Sequence, residues 1–136
     1  MSEQIHPELG RRLLRIAVIA DTHLTEADGV CNSPFAVNKL ANERMRYVVN
    51  SLNQLAPDFS IHLGDIVHPV PAVPALYEQA VNCFREQVAD LDSELLLVPG
   101  NHDVGDKPID WGPAGVICED YVDLWDRYFG PNYQAV

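Results

Sequence analysis

Positive charge is scarce in this chain of 136 residues: nine lysines and arginines stand against twenty aspartates and glutamates, for a formal charge of −11. A surface of that sign repels nucleic acid and anionic lipid, so neither a nucleic-acid surface nor a membrane partner is expected. Cations are its natural company. Cysteine is equally sparse. Cys31, Cys83 and Cys118 are odd in number and too widely spaced for a disulfide framework or a zinc knuckle, and they are expected as reduced core residues of a cytoplasmic protein. No apolar run is long enough to cross a bilayer. The opening, MSEQIHPELGRRLLRIAVIADTH, has no signal architecture, because its one apolar stretch, IAVIA, runs directly into polar residues. There is no internal repeat and no low-complexity segment. What is there is a hydrophobic fraction of 47% in a chain about one domain long, enough for a modest core.

Two kinds of periodicity alternate along the chain. Arg15 to Ala20 (RIAVIA), Phe59 to Leu63 (FSIHL) and Glu94 to Val98 (ELLLV) are short and aliphatic, as expected of strands buried on both faces. Between them the apolar spacing turns helical. From Asn38 to Ala56, Ala41, Met45, Val48, Val49, Leu52 and Leu55 recur every three or four residues until Pro57 ends the run. From Pro74 to Leu91, Leu76, Ala80, Cys83, Phe84, Val88 and Leu91 repeat the pattern, with Pro74 where a first helical turn tolerates it. A third stripe, Tyr121, Val122, Trp125, Tyr128 and Phe129, stops at Gly130 and Pro131. The order β-α-β-α-β-α with right-handed crossovers predicts an α/β fold on a parallel sheet.

Parallel strands place their carboxyl ends along one edge, where open α/β sheets bind ligands. Each predicted strand runs straight into polar groups there: ADTH after the first, GD after the second, GNHD after the third. Asp21 and His23, two apart in an extended segment, can reach one ion together. Taken alone, a strand-end aspartate is more often a turn former. Gly64 lets the backbone turn sharply or approach a ligand, and the two oxygens of Asp65 suit it to bridge two cations, although Gly-Asp by itself is a common turn. Asn101 offers a neutral carbonyl oxygen as ligand, and the imidazole of His102 can give a proton to a leaving oxygen.

Together, DTH at 21–23, GD at 64–65 and GNHD at 100–103, each ending a βα unit and in this order, resemble the calcineurin-like metallophosphoesterases. The match runs from Arg15 into the third helix. Joint occurrence of three motifs is far more specific than any one of them. The resemblance implies that Asp21 and His23 ligate a first metal, Asp65 bridges two, Asn101 ligates the second, and His102 is the catalytic histidine facing a phosphate ester; Asp103 takes a supporting part. It implies a hydrolase of phosphate mono- or diesters, with a hydroxide bridging two divalent ions as nucleophile. A mixed oxygen and imidazole ligand set admits manganese, iron, zinc, cobalt or nickel. The fold implied is the N-terminal half of a four-layer α/β/β/α sandwich, with 1–14 as a tail and 15–136 as the N-terminal part of the phosphoesterase domain.

Two departures qualify the resemblance. The serine/threonine phosphatase branch continues its bridging motif as G-D-x-V-D-R-G, whereas this chain reads GDIVHPV with His68 and Pro69 at the Asp and Arg positions. That disfavours a protein phosphatase and favours a phosphodiesterase or small-molecule phosphomonoesterase. The family's later G-H and G-H-x-H motifs are absent, no histidine follows His102, and the second metal would keep only two protein ligands. One sheet face is also expected to stay bare, which points to a missing C-terminal half or, less readily, to self-association. The rival readings are a non-catalytic scaffold of the same fold and a truncated, inert fragment. Other residues are set aside: His62 as a hydrogen-bonded strand histidine, His68 as a residue near substrate at most, His6 as tail, Arg11, Arg12 and Arg15 as a solvated lead-in. Lys107 and Trp111, in the loop 105–115, are candidates for a substrate wall.

Overall fold

The computed structural model describes residues 11–31, 33, 35–108 and 115–134. Three short strands, β1 (Ile16–Ile19), β2 (Phe59–His62) and β3 (Glu94–Leu97), form one sheet in the order β1-β2-β3. Both pairings are parallel, with Val18 opposite Ile61 and Ile61 opposite Leu96. A 3-10 turn at Ala36–Leu40 leads into α1 (Ala41–Leu55); α2 (Pro74–Val88), the single turn α3 (Asn101–Val104) and α4 (Glu119–Phe129) follow. The helical stretch expected from Asn38 therefore opens as 3-10 and becomes α-helical at Ala41. The one expected to Leu91 ends at Val88.

Each helix forms where one face can be buried. On α1 the buried positions are Ala41, Asn42, Met45, Val49 and Leu52, a stripe at spacings of three and four. It ends at Ala56, which turns left-handed at φ 47° ahead of Pro57 and donates its N–H to Leu52 O. On α2 the buried residues are Tyr77, Ala80, Val81 and Phe84. Trp125 of α4 is fully buried, stacks against Phe129 with centroids 4.5 Å apart, and belongs to the same core as Phe84 and Tyr77. The sheet joins that core through one face, by Ile19, Leu95 and Leu97. On the other face, Ile16 is 45% and Val18 57% exposed, so among the described residues β1 is left open on that side. Arg15 clasps the turn before β2, its backbone N–H on Asp58 Oδ2 and its guanidinium on Leu55 O.

The cysteines correct one expectation. All three are free, but Cys118 is exposed at the start of α4 and Cys31 and Cys83 are only half-buried. Cys31 lies in the loop between β1 and the 3-10 turn, Cys83 on α2 beside its buried stripe, and Cys118 just before α4. His6 and Trp111 lie outside the described residues; Lys107 is exposed. Among the described residues no helix is long and apolar enough to cross a membrane.

Candidate metal centre

The loops after the three strands are stitched together by their backbones. Pairing continues past the ends of β1 and β2: Asp21 N–H donates to Gly64 O at 3.0 Å, His23 N–H to Asp65 O at 3.0 Å, Leu24 N–H to Ile66 O at 2.9 Å, and His68 N–H to Leu24 O at 2.7 Å. Leu24 and Val67 form an isolated parallel bridge. To keep this pairing while turning, the chain adopts left-handed backbone at three non-glycine residues, Asp21 (φ 55°), His23 (φ 45°) and Asp65 (φ 53°). Such conformations cost about 1–3 kcal/mol each and cluster where function demands them.

Two glycines let the second and third loops touch. A Cβ on Gly64 would lie 2.1 Å from Gly100 N, and one on Gly100 would lie 2.2 Å from Asp65 Oδ1. Both distances are impossible for real atoms, so a side chain at either position would push the loops apart. Asp103 locks the contact. Its fully buried carboxylate accepts from Gly100 N–H at 2.9 Å, Asp65 N–H at 2.8 Å and Ile66 N–H at 3.1 Å. Burial pushes its carboxyl up to about 7, against the pull of those backbone N–H groups. Asp103 thereby ties the second loop to the third.

His62 makes a second lock. Gly64 N–H donates to its Nδ1 at 3.1 Å, so its proton sits on Nε2, which donates to Thr22 Oγ1 at 2.8 Å; Thr22 in turn donates to Ile66 O at 3.0 Å. Burial lowers its pKa to about 4. It is a hydrogen-bonded strand histidine that holds the first loop to the second.

On this scaffold the structure brings Asp21, His23 and Asp65 together: one ligand atom of each lies within 4.8 Å of the others. His23 Nε2 is 4.0 Å from Asp21 Oδ1 and 3.8 Å from Asp65 Oδ2, too far for hydrogen bonds and suited to a shared cation. Among the described residues His23 Nδ1 is buried without a hydrogen-bond partner. Burial, joined by the neighbouring His102, lowers the His23 pKa, which keeps the imidazole neutral and able to ligate. The other Asp65 oxygen, Oδ1, accepts the His102 N–H at 2.9 Å. Carboxylate and neutral imidazole donors converging this closely fit a divalent metal. Asn101, the first residue of α3, is exposed beside His102. His102 lies with its ring centroid 4.7 Å from that of His23, and its Nδ1 donates to His68 O at 3.2 Å. His68 is what the sequence reading set aside: its imidazole joins His23 and His102 in a second close group. Its only signal in the sequence is its place three residues after Asp65.

The sequence profile described as calcineurin-like phosphoesterase matches residues 14–134. A serine/threonine-protein phosphatase CPPED1 from Mus musculus is 35% identical over 83 residues, which cover 60% of this chain and 25% of the mouse protein. The Bos taurus protein of that name is 34% identical over 97 residues, covering 64% and 28%, and the Homo sapiens one 33% over 89 residues, covering 64% and 26%. The chain thus spans about a quarter of the length of the curated relatives it matches. With the profile running from before β1 to past α4, the chain belongs to the calcineurin-like phosphoesterases.

Proposed function

We propose that this chain carries the strand-end metal ligands and the acid–base histidine of a dinuclear hydrolase of phosphate esters. The observation that carries the reading is the convergence of Asp21, His23 and Asp65 on one spot at the carboxyl edge of the sheet, with His102 beside it. In this reading Asp21, His23 and Asp65 would hold one divalent ion, and Asp65 with the carbonyl oxygen of Asn101 a second. Such ions acidify water and neutralise phosphoryl charge.

The chain's own groups do the rest. Asp65 divides its labour: Oδ1 fixes the His102 backbone while Oδ2 faces His23, and each oxygen retains a free lone pair for a cation. Because His68 O is a carbonyl and can only accept, His102 must carry a hydrogen on Nδ1. The proton it exchanges with a ligand is then the one on Nε2, and that is the proton given to the departing alcohol. The half-buried setting of His23, Asp65 and His102 limits competition from water for the same donors.

Substrate class follows from two opposing signals. The relatives are named serine/threonine-protein phosphatases, which raises phosphoserine and phosphothreonine proteins as a second reading. Against it stand His68 and Pro69 in GDIVHPV, and a small phosphomonoester or phosphodiester is the preferred substrate. The bare Ile16 and Val18 face is assigned to cover by further polypeptide of a longer protein. The test is manganese-dependent hydrolysis of p-nitrophenyl phosphate, bis(p-nitrophenyl) phosphate and a phosphoserine peptide by the protein made from its complete reading frame. Turnover of either small ester, lost by two orders of magnitude or more in Asp65→Asn and His102→Ala, is expected. Undiminished turnover in those variants would refute the roles, and turnover of the peptide alone would favour the second reading.

A further inference from the structure

His68 has no place in the ligand set above, yet the fold delivers it to the site. Its N–H bond to Leu24 O at 2.7 Å pins the segment after β2 against the loop after β1. The ring centroids of His68 then lie 6.1 Å from His23 and 6.0 Å from His102. The His23 ring is inclined at 69° to one and 80° to the other, so ring edges meet there and faces do not stack. One ring nitrogen from each of the three histidines lies within 4.8 Å of the other two. Nitrogens on one tetrahedral ion sit about 3.3 Å apart, given metal–nitrogen bonds of about 2.0–2.1 Å. Partly exposed side chains can make up that difference by small rotations.

Two further observations point to a ligand. A metal-bound histidine characteristically gives its other N–H to a carbonyl, and His102 does so through Nδ1 to His68 O at 3.2 Å, which leaves Nε2 to ligate. His23 Nδ1, meanwhile, is buried without a hydrogen-bond partner among the described residues, an arrangement proteins seldom leave unsatisfied.

The geometry points to a second, all-imidazole mode of metal binding, in which His23, His68 and His102 hold one borderline divalent cation such as zinc, cobalt or nickel. It shares His23 with the Asp21–His23–Asp65 group, so the two modes compete for that side chain. Hard cations favour the carboxylate group; borderline ones favour three nitrogens. A regulatory consequence follows and rests on the role proposed for His102: the second mode occupies its Nε2, so excess zinc inhibits hydrolysis and excess manganese does not. The binding mode itself does not depend on that role.

The experiment is a cobalt(II) titration of this chain followed by visible absorption, paired with manganese(II) binding followed by electron paramagnetic resonance. In the parent chain cobalt should develop the intense bands of a nitrogen-rich site of low coordination number, and zinc should bleach them. His68→Gln should weaken cobalt binding tenfold or more and abolish those bands while leaving manganese binding within a factor of two. Asp21→Asn should do the reverse. A thermal melt of each variant matching the parent shows that the fold is intact, and His68→Asn provides a second replacement should the glutamine variant melt early. Cobalt bands and affinity unchanged in the folded His68 variants would overturn the proposal. No hydrolysis in the ester assay by a parent protein that shows the bands would instead count against the function proposed for the site.

Discussion

Lowering the pH from 7 toward 4 protonates His62 in the unfolded chain well before it protonates the folded one. The ring is fully buried and both nitrogens are engaged, Nδ1 as acceptor for Gly64 N–H and Nε2 as donor to Thr22. Burial is the main cause of its depressed pKa of about 4; the Asp65 carboxylate opposes the shift and His23 adds to it. A group whose native pKa is depressed contributes stability that is full above its unfolded value of 6.5 and is lost as pH falls through about 4. At about 1.4 kcal/mol for each pH unit between the two values, the loss is about 3 kcal/mol. Asp103 runs the opposite way. Its carboxyl, pushed up to about 7 from an ordinary 3.8, contributes stability below 3.8 that is lost as pH rises through 7, so the raw stability curve between pH 4 and 7 mixes two opposed slopes. The comparison of the parent with His62→Gln by urea unfolding removes the shared Asp103 contribution. The stability difference between the two should shrink by about 3 kcal/mol on going from pH 7 to pH 4. The imidazole resonances of His62, followed by NMR, should stay unprotonated until pH is near 4. A His62 titration midpoint near 6.5, or parallel curves for the two proteins, would refute the reasoning.

Gly64→Ala places a Cβ 2.1 Å from the backbone of Gly100 at a residue with φ 95°; it should destabilise the chain by about 3 kcal/mol or more and lower manganese affinity at least tenfold, measured by urea unfolding and metal titration. Trp125→Ala should cost about 3–5 kcal/mol in the same unfolding assay. Trp125→Phe should cost clearly less, because among the described residues the indole Nε1 is buried without a partner and its removal deletes an unsatisfied donor. The exposed Ile16 and Val18 face should bind anilinonaphthalene sulfonate, and Val18→Lys should reduce that fluorescence and slow aggregation of the chain; unchanged fluorescence would move the exposed apolar patch elsewhere.

The strands and the three long helices were legible because each had one burial pattern to satisfy. RIAVIA and ELLLV are short aliphatic runs that read as strands, and the stripes ending in Leu55, Leu91 and Phe129 read as helices that share a core. The 3-10 turn at Ala36–Leu40 was not, since its residues, none of them buried, carry the same local preferences as the helix they precede. At the site, Asp21, His23 and Asp65 could be placed together from topology alone, since parallel strands end on one edge. His68 could not. Its arrival depends on pairing that extends beyond the strands, through Leu24 and Val67, and no periodicity announces two residues of pairing inside a loop. Likewise GNHD does not reveal which of its side chains turns inward. Three backbone N–H groups converging on Asp103 decide that.

Asp21 separates function from fold most cleanly. It holds a carboxylate at φ 55°, in backbone that glycine adopts freely. Its side chain is 70% exposed, and its carboxylate lies 4.0 Å from His23 Nε2. The contact that fixes the loop is its backbone N–H on Gly64 O, which any residue can make. Aspartate tolerates left-handed backbone better than most residues, but among the described residues its carboxylate makes no hydrogen bond that holds the loop, whereas a cation shared with His23 and Asp65 would employ it. Asp21→Gly should therefore leave the metal-free chain unchanged in stability or raise it by up to about 1 kcal/mol, the relieved left-handed cost being offset in part by glycine's greater freedom when unfolded. The same variant should lower manganese affinity at least tenfold. A metal-free chain destabilised by about 2 kcal/mol or more would show that the carboxylate holds the loop, and the case for it as a ligand would lose its main support.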